Sequence, residues 1–202
     1  AAIDMIAGPS ELLVLADATA RAEFIAADLL SQAEHDPDAQ VVLVTTDARL
    51  AETIVSLIPS YAQSLPRRAI IERSLAHSFV VVANSMEDAI AFANQYAPEH
   101  LSIQVANEDA VLQHISHAGS VFVGPCAPVA AGDYASGTNH TLPTAGTARF
   151  YSGVSIDSFQ KSITFQRLSR EGLVRLAPTL KTLAAAEGLE AHKRAVEIRE
   201  RS

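Results

Sequence analysis

Five short runs of aliphatic and β-branched residues punctuate the first part of the chain: ELLVLA (11–16), VVLVT (41–45), FVVVA (79–83), LSIQV (101–105) and SVFV (120–123). Runs this short and this apolar read as mostly buried strands rather than as half-exposed ones, which would alternate with polar residues. Stretches of helical character separate them, at 18–34, 48–64, 86–96 and 108–118, closed by Leu65-Pro66 after the second and by Gly119 after the last. Asp17, Asp47, Ser85 and Asn107 stand where an N-cap would, each able to accept from the first free backbone N–H groups. Strict alternation of strand and helix predicts an α/β domain with a largely parallel sheet covered on both faces. In such sheets ligands gather at the carboxyl ends of the strands.

With 202 residues, 49% of them hydrophobic, the chain can bury one full core and is expected to form one domain with a small appendage. A net charge of -8 without any dense Lys/Arg cluster gives no field to attract a phosphate backbone or an anionic lipid surface, so nucleic acid and membrane are not expected partners. No apolar run approaches the roughly 18–20 residues that a bilayer requires. The lone Cys126 excludes an internal disulfide and fits a reducing compartment, so a cytoplasmic location is expected. Cys126 has no obvious base beside it. Neither a nucleotide-binding glycine motif nor a nucleophile elbow is present.

Past the fifth run the pattern changes to a Gly/Pro/Ser/Thr/Ala-rich stretch, 124–153. A loop of that length inside a compact chain is a functional loop or a linker, and Asp133, Tyr134, Asn139 and His140 favour function. A strand-like piece at 162–165 follows, then helical segments at 168–177, stopped by Pro178, and 179–201. The domain is expected over 1–160. The polar tail, 161–202, has too little core of its own and should dock on this domain or on a second subunit.

Four places could carry chemistry. Gln32 and His35, three apart near the end of the first helical stretch, share a helix face and could both reach one ion; a histidine complementing the helix dipole at the surface is the competing reading. Glu99 and His100, held by Pro98 just before a strand, could form an acid/base pair tuned by partial burial, or be an exposed turn. Asp133, flanked by glycines in GDYASG (132–137), could bind a metal or a cationic substrate, or close an Asx-turn. His192 on the tail reads most simply as a solvated helix residue. Ser10, in the turn before the first strand, could contact a ligand or cap that turn.

Taken together, Ile3-Asp4, AGPSE (7–11), DLLSQAEH (28–35), APEHL (97–101), GDYASGTNH (132–140) and EGLEAHK (187–193) closely resemble the histidinol dehydrogenases, over essentially the whole chain. The resemblance implies a three-layer, Rossmann-like and aldehyde-dehydrogenase-like α/β domain with a small helical tail. It implies a Zn2+ site made from Gln32, His35, Asp133 and His192, completed by L-histidinol itself, with Ser10, His100 and Glu187 also contacting substrate. The implied reaction takes L-histidinol to L-histidine through L-histidinal, with two molecules of NAD as hydride acceptors. His100 would take the alcohol proton, and Glu99 would activate water on the aldehyde. A homodimer is implied in which Glu187 and His192 of the tail complete the neighbour's site. Members of the family are longer, and the part that would precede residue 1 supplies most NAD contacts, so the isolated chain is expected to be inactive. Two rivals differ in chemistry: a zinc hydrolase with Glu99 relaying a proton, and a non-catalytic zinc-binding remnant.

Overall fold

The structure, a computed structural model, describes Ile6 and residues 8–201. Ile3, Asp4 and Ala7 of the first motif lie outside the described residues. By backbone contacts the chain divides into two units, 1–159 and 160–202.

In the first unit all five predicted strands form within one residue of their expected bounds: β1 (Glu11–Ala16), β2 (Gln40–Thr45), β3 (Phe79–Val82), β4 (His100–Gln104) and β5 (Ser120–Val123). They make one sheet in the order β3-β2-β1-β4-β5, with every pairing parallel. Helices α1 (Ala22–Ala33), α2 (Ala48–Ala62), α3 (Arg68–Leu75), α4 (Met86–Tyr96) and α5 (Glu108–Leu112) supply the crossovers. Because successive side chains of a strand point to opposite faces, β1 divides its apolar residues between two cores. Leu12 and Val14 pack with Ile25, Leu29, Ile54 and Ile71 of α1–α3, while Leu13 and Leu15 pack with Ala89, Ala93 and Val111 of α4 and α5. The result is the three-layer α/β arrangement expected.

Several local expectations are corrected. Helix α1 starts at Ala22 rather than at 18, because Asp17 is not its N-cap: its Oδ1 accepts from the Thr19 N–H at 2.9 Å and its Oδ2 from the Ala106 N–H at 2.8 Å, tying the ends of β1 and β4 together. Asp47, Ser85 and Asn107 do cap α2, α4 and α5. Helix α5 stops at Leu112 instead of running to 118, since the Asn94 side chain takes up the Ser116 N–H at 2.8 Å and donates to the His114 carbonyl at 2.8 Å, giving that backbone a non-helical partner. The short helix α3 has no counterpart in the sequence reading, which took Leu65-Pro66 as the end of helical structure. Strand β3 is an edge strand and not a buried one, with Phe79, Val80 and Val82 exposed.

The glycine-rich stretch is not structureless. It contains α6 (Ala130–Tyr134), on which Asp133 lies, and a 3₁₀ turn at Thr147–Arg149. Another 3₁₀ turn, Ile156–Phe159, closes the unit.

In the second unit, α7 (Arg170–Ala186) and α8 (Glu190–Arg201) form a hairpin, with Lys181 Nζ bonded to Glu200 Oε2 at 2.7 Å. No strand forms at 162–165, whose residues are exposed and unpaired with any strand. Pro178 does not stop the helix: it forfeits a single backbone N–H, and α7 continues to Ala186. The break falls at Gly188, whose φ of 70° suits glycine, and the Leu189 N–H donates back to the Ala184 carbonyl at 2.8 Å.

Candidate active site

In a parallel sheet all strands begin along one edge. Ser10 and Glu11 enter β1 at that edge and Glu99 and His100 enter β4 beside it, with Leu12 opposite His100 in the register. Helix α1 runs back from the far end of β1, so its C-terminal residues, among them Gln32, return to the same edge, with His35 in the turn just beyond. Ser10, Gln32, His35, Glu99 and His100 therefore collect at the amino edge of the sheet, a correction to the expectation of a carboxyl-edge site. A cavity of about 580 Å³, lined by Met86, Ile90, Val105 and His114 among others, holds none of them.

Glu99 and His100 are both buried, not in an exposed turn. Left-handed Ala97 (φ 55°) ends α4 and turns the chain into Pro98. Gly119 permits the next close approach: a Cβ there would lie 2.6 Å from the Glu99 carbonyl oxygen. The Glu99 carboxylate accepts the Glu11 N–H at 2.9 Å through Oε2, and Ser10 adds a side-chain hydrogen bond. Burial nevertheless pushes the Glu99 carboxyl up to about 7, outweighing those two hydrogen bonds, and the negative charges of Glu11 and Asp133 add to the rise. His100 moves the other way: burial pulls its imidazole below the usual value, against the Glu11 carbonyl and Asp133, which favour the charged ring, while the nearby His35 lowers it further. His100 Nδ1 lies 3.1 Å from the Glu11 carbonyl oxygen and 3.6 Å from Glu99 Oε2. With its pKa lowered the ring is neutral near pH 7, so the shorter contact is the hydrogen bond and the longer one is not an ion pair.

Asp133 reaches this edge through Gly132. A Cβ on Gly132 would lie 2.7 Å from Cζ of Phe122, so α6 can sit against that ring only with glycine there. Phe122 in turn packs on His100, with ring centroids 5.9 Å apart. From the other side, the Asp28 carboxylate on α1 accepts the backbone N–H of Val129, which precedes α6. His35 and Asp133 both act electrostatically on His100, so the structure brings these three together with Glu99.

Gln32 is 2% exposed at the end of α1, while His35 is exposed and Asp133 half-buried. The amide oxygen of Gln32, an imidazole nitrogen of His35 and a carboxylate oxygen of Asp133 are a donor set whose chemistry suits a divalent cation of borderline hardness. Among the described residues no three His, Cys, Asp or Glu side chains form a metal cluster. Glu187 and His192 belong to the second unit, where both are exposed, on either side of the Gly188 turn between α7 and α8.

A family model described as histidinol dehydrogenase matches residues 1–200. The chain belongs to the histidinol dehydrogenase family. It is 54% identical to histidinol dehydrogenase of Vibrio vulnificus over 199 residues, covering 98% of this chain and 46% of the relative. It is 56% identical over 198 residues to the Arabidopsis thaliana relative named histidinol dehydrogenase, chloroplastic, covering 98% of this chain and 42% of that protein. The crystal structure of histidinol dehydrogenase from Elizabethkingia anophelis superposes with a TM-score of 0.96 at 52% identity, over 98% of this chain and 46% of that one. The chain thus spans about half the length of the curated relatives it matches. No helix among the described residues is long and apolar enough to cross a membrane. Glu11 and Asp28, which bear on the site, lie inside the motifs AGPSE and DLLSQAEH but had no role assigned from the sequence. Glu11 opens the first expected strand, and Asp28 falls within the first expected helical stretch.

Proposed function

We propose that this chain forms part of an enzyme that oxidises L-histidinol to L-histidine through L-histidinal, releasing two hydrides to two molecules of NAD. Family membership supports the substrate. The observation that carries the chemistry is the buried pair Glu99–His100, one carboxyl raised to about 7 and one imidazole kept neutral.

His100 would accept the alcohol proton at Nε2 as the first hydride leaves, its Nδ1 being committed to the Glu11 carbonyl. Glu99, ionised above about pH 7, would take a proton from water attacking the aldehyde, so that the resulting hydrate can give up the second hydride. Gln32, His35 and Asp133, with His192 from a tail, would hold Zn2+, which supplies a redox-inert Lewis-acidic anchor for the substrate. Ser10 and Glu187 would contact the substrate. We place most NAD contacts outside this chain, and expect the isolated chain to be inactive. Exposed Val174, Leu176 and Leu183 on α7 support a tail that packs on a second subunit, where Glu187 and His192 would complete the partner's site in a homodimer. The lone cysteine supports a reducing, cytoplasmic setting.

NADH absorbance on the full-length protein with L-histidinol and NAD tests the reading, beside a chelated sample later given zinc. Two NADH per histidinol, lost with the metal and restored by zinc, is the expected result. No NADH from folded, zinc-loaded protein overturns the dehydrogenase and favours the zinc hydrolase or the binding remnant.

A further inference from the structure

Glu11 touches both members of the acid/base pair without belonging to it. Its backbone N–H donates to Glu99 Oε2 at 2.9 Å, and its backbone carbonyl lies 3.1 Å from His100 Nδ1. Its side chain reaches away from the sheet to accept the Ala145 N–H through Oε1 at 2.8 Å, across a sequence separation of 134 residues. The backbone N–H of Glu99 also favours the charged form of the Glu11 carboxylate. Oε2 of Glu11 is buried with no partner within hydrogen-bonding distance. A buried, half-satisfied carboxylate is destabilising by itself, and a first strand residue with a shorter or apolar side chain would avoid that cost.

We propose that Glu11 is a positioning residue for the reaction: its backbone aims the Glu99 carboxylate and fixes the His100 tautomer, and its side chain, anchored on Ala145, holds that backbone in place with a second carboxyl beside Glu99. This rests on the assignment of Glu99 and His100 as the proton acceptors. It gives the orphaned oxygen a purpose, because a like charge nearby disfavours the ionised form of Glu99 and so strengthens it as a base. The other groups that bear on Glu99 and Glu11 are Asp133 from α6, Ser10 before β1 and Tyr96 from α4; His100 on β4 feels His35 as well.

In the full-length enzyme, Glu11→Gln keeps an acceptor for Ala145 and removes the charge. Its acid limb of kcat for histidinal oxidation is expected to move about one pH unit lower. Glu11→Ala also removes the anchor, and is expected to lose about tenfold or more in kcat with little change in KM. An acid limb that stays in place in Glu11→Gln, with wild-type kcat in Glu11→Ala, overturns the proposal. Glu99→Gln is measured alongside: if it is fully active, the base assignment itself has failed and this proposal with it. If it is inactive while both Glu11 variants behave as wild type, the positioning role alone has failed. Should the variants not fold, carbon-13 carboxyl titration of the unsubstituted protein decides. The Glu11 resonance is expected to inflect at the pH where Glu99 titrates, and a Glu11 resonance that ignores that titration overturns the proposal.

Discussion

His100 Nδ1 sits 3.1 Å from the carbonyl oxygen of Glu11. A carbonyl can only accept, so Nδ1 carries the proton and Nε2 is the free lone pair. His100→Asn retains an N–H for Glu11 and has no base; alcohol oxidation by the full-length enzyme is expected to fall about 10²- to 10⁴-fold with folding intact. Since burial lowers the imidazole pKa, the acid limb of the wild-type first step is expected below the ordinary value of 6.5. A limb above 6.5 in stopped-flow NADH traces contradicts the buried neutral ring.

Glu99→Gln is expected to stop the reaction at the aldehyde while stabilising the fold. The native carboxyl binds its proton up to about pH 7, the unfolded one only to about 4.5. Between those values the native state holds more protons, so wild-type stability falls as pH rises through the window. Glutamine does not titrate, so the Tm of Glu99→Gln should match wild type below pH 4.5 and exceed it increasingly up to pH 7. Equal Tm values at pH 8 would refute the desolvated carboxylate.

Asp28 obeys the same sign. Burial lifts its carboxyl from 3.8 to about 6 despite the Val129 N–H. Asp28→Asn keeps an acceptor and loses the charge, so it should unfold at a higher temperature than wild type above pH 6 and at the same temperature below 3.8. Asp28→Ala leaves the Val129 N–H without its partner and should cost about 1–3 kcal/mol relative to Asn in urea denaturation.

Gly132→Ala tests how Asp133 is placed. The added Cβ would stand 2.7 Å from Phe122 Cζ, so either the ring or α6 must move. Destabilisation of about 1–3 kcal/mol is expected. Calorimetric titration of the full-length protein with zinc should show at least a tenfold loss of affinity; unchanged affinity would separate Asp133 from the metal site.

The strands were legible because burial on both faces leaves uninterrupted apolar runs, and ELLVLA became β1 residue for residue. Three caps were legible because an N-cap acts within its own turn. Asp17, Asn94 and Pro178 were not: the first two spend their side chains on backbone far along the chain, and α7 tolerates one missing donor. Glu99 and His100 stood out as titratable neighbours before a strand. Glu11 stood in the motif AGPSE, but no local signal gave it a role, since its contact with Glu99 spans 88 positions.

The sequence by itself determined the alternating α/β plan and, through its motifs, the family and the candidate residues, because periodicity and side-chain chemistry are local properties. Only the tertiary structure decided that β1 and β4 lie side by side, that the candidates of the first unit collect at the amino edge, and that burial makes Glu99 a stronger base than an exposed glutamate. Desolvation is the reason. It depends on everything packed around a group, and no stretch of the chain carries that information alone.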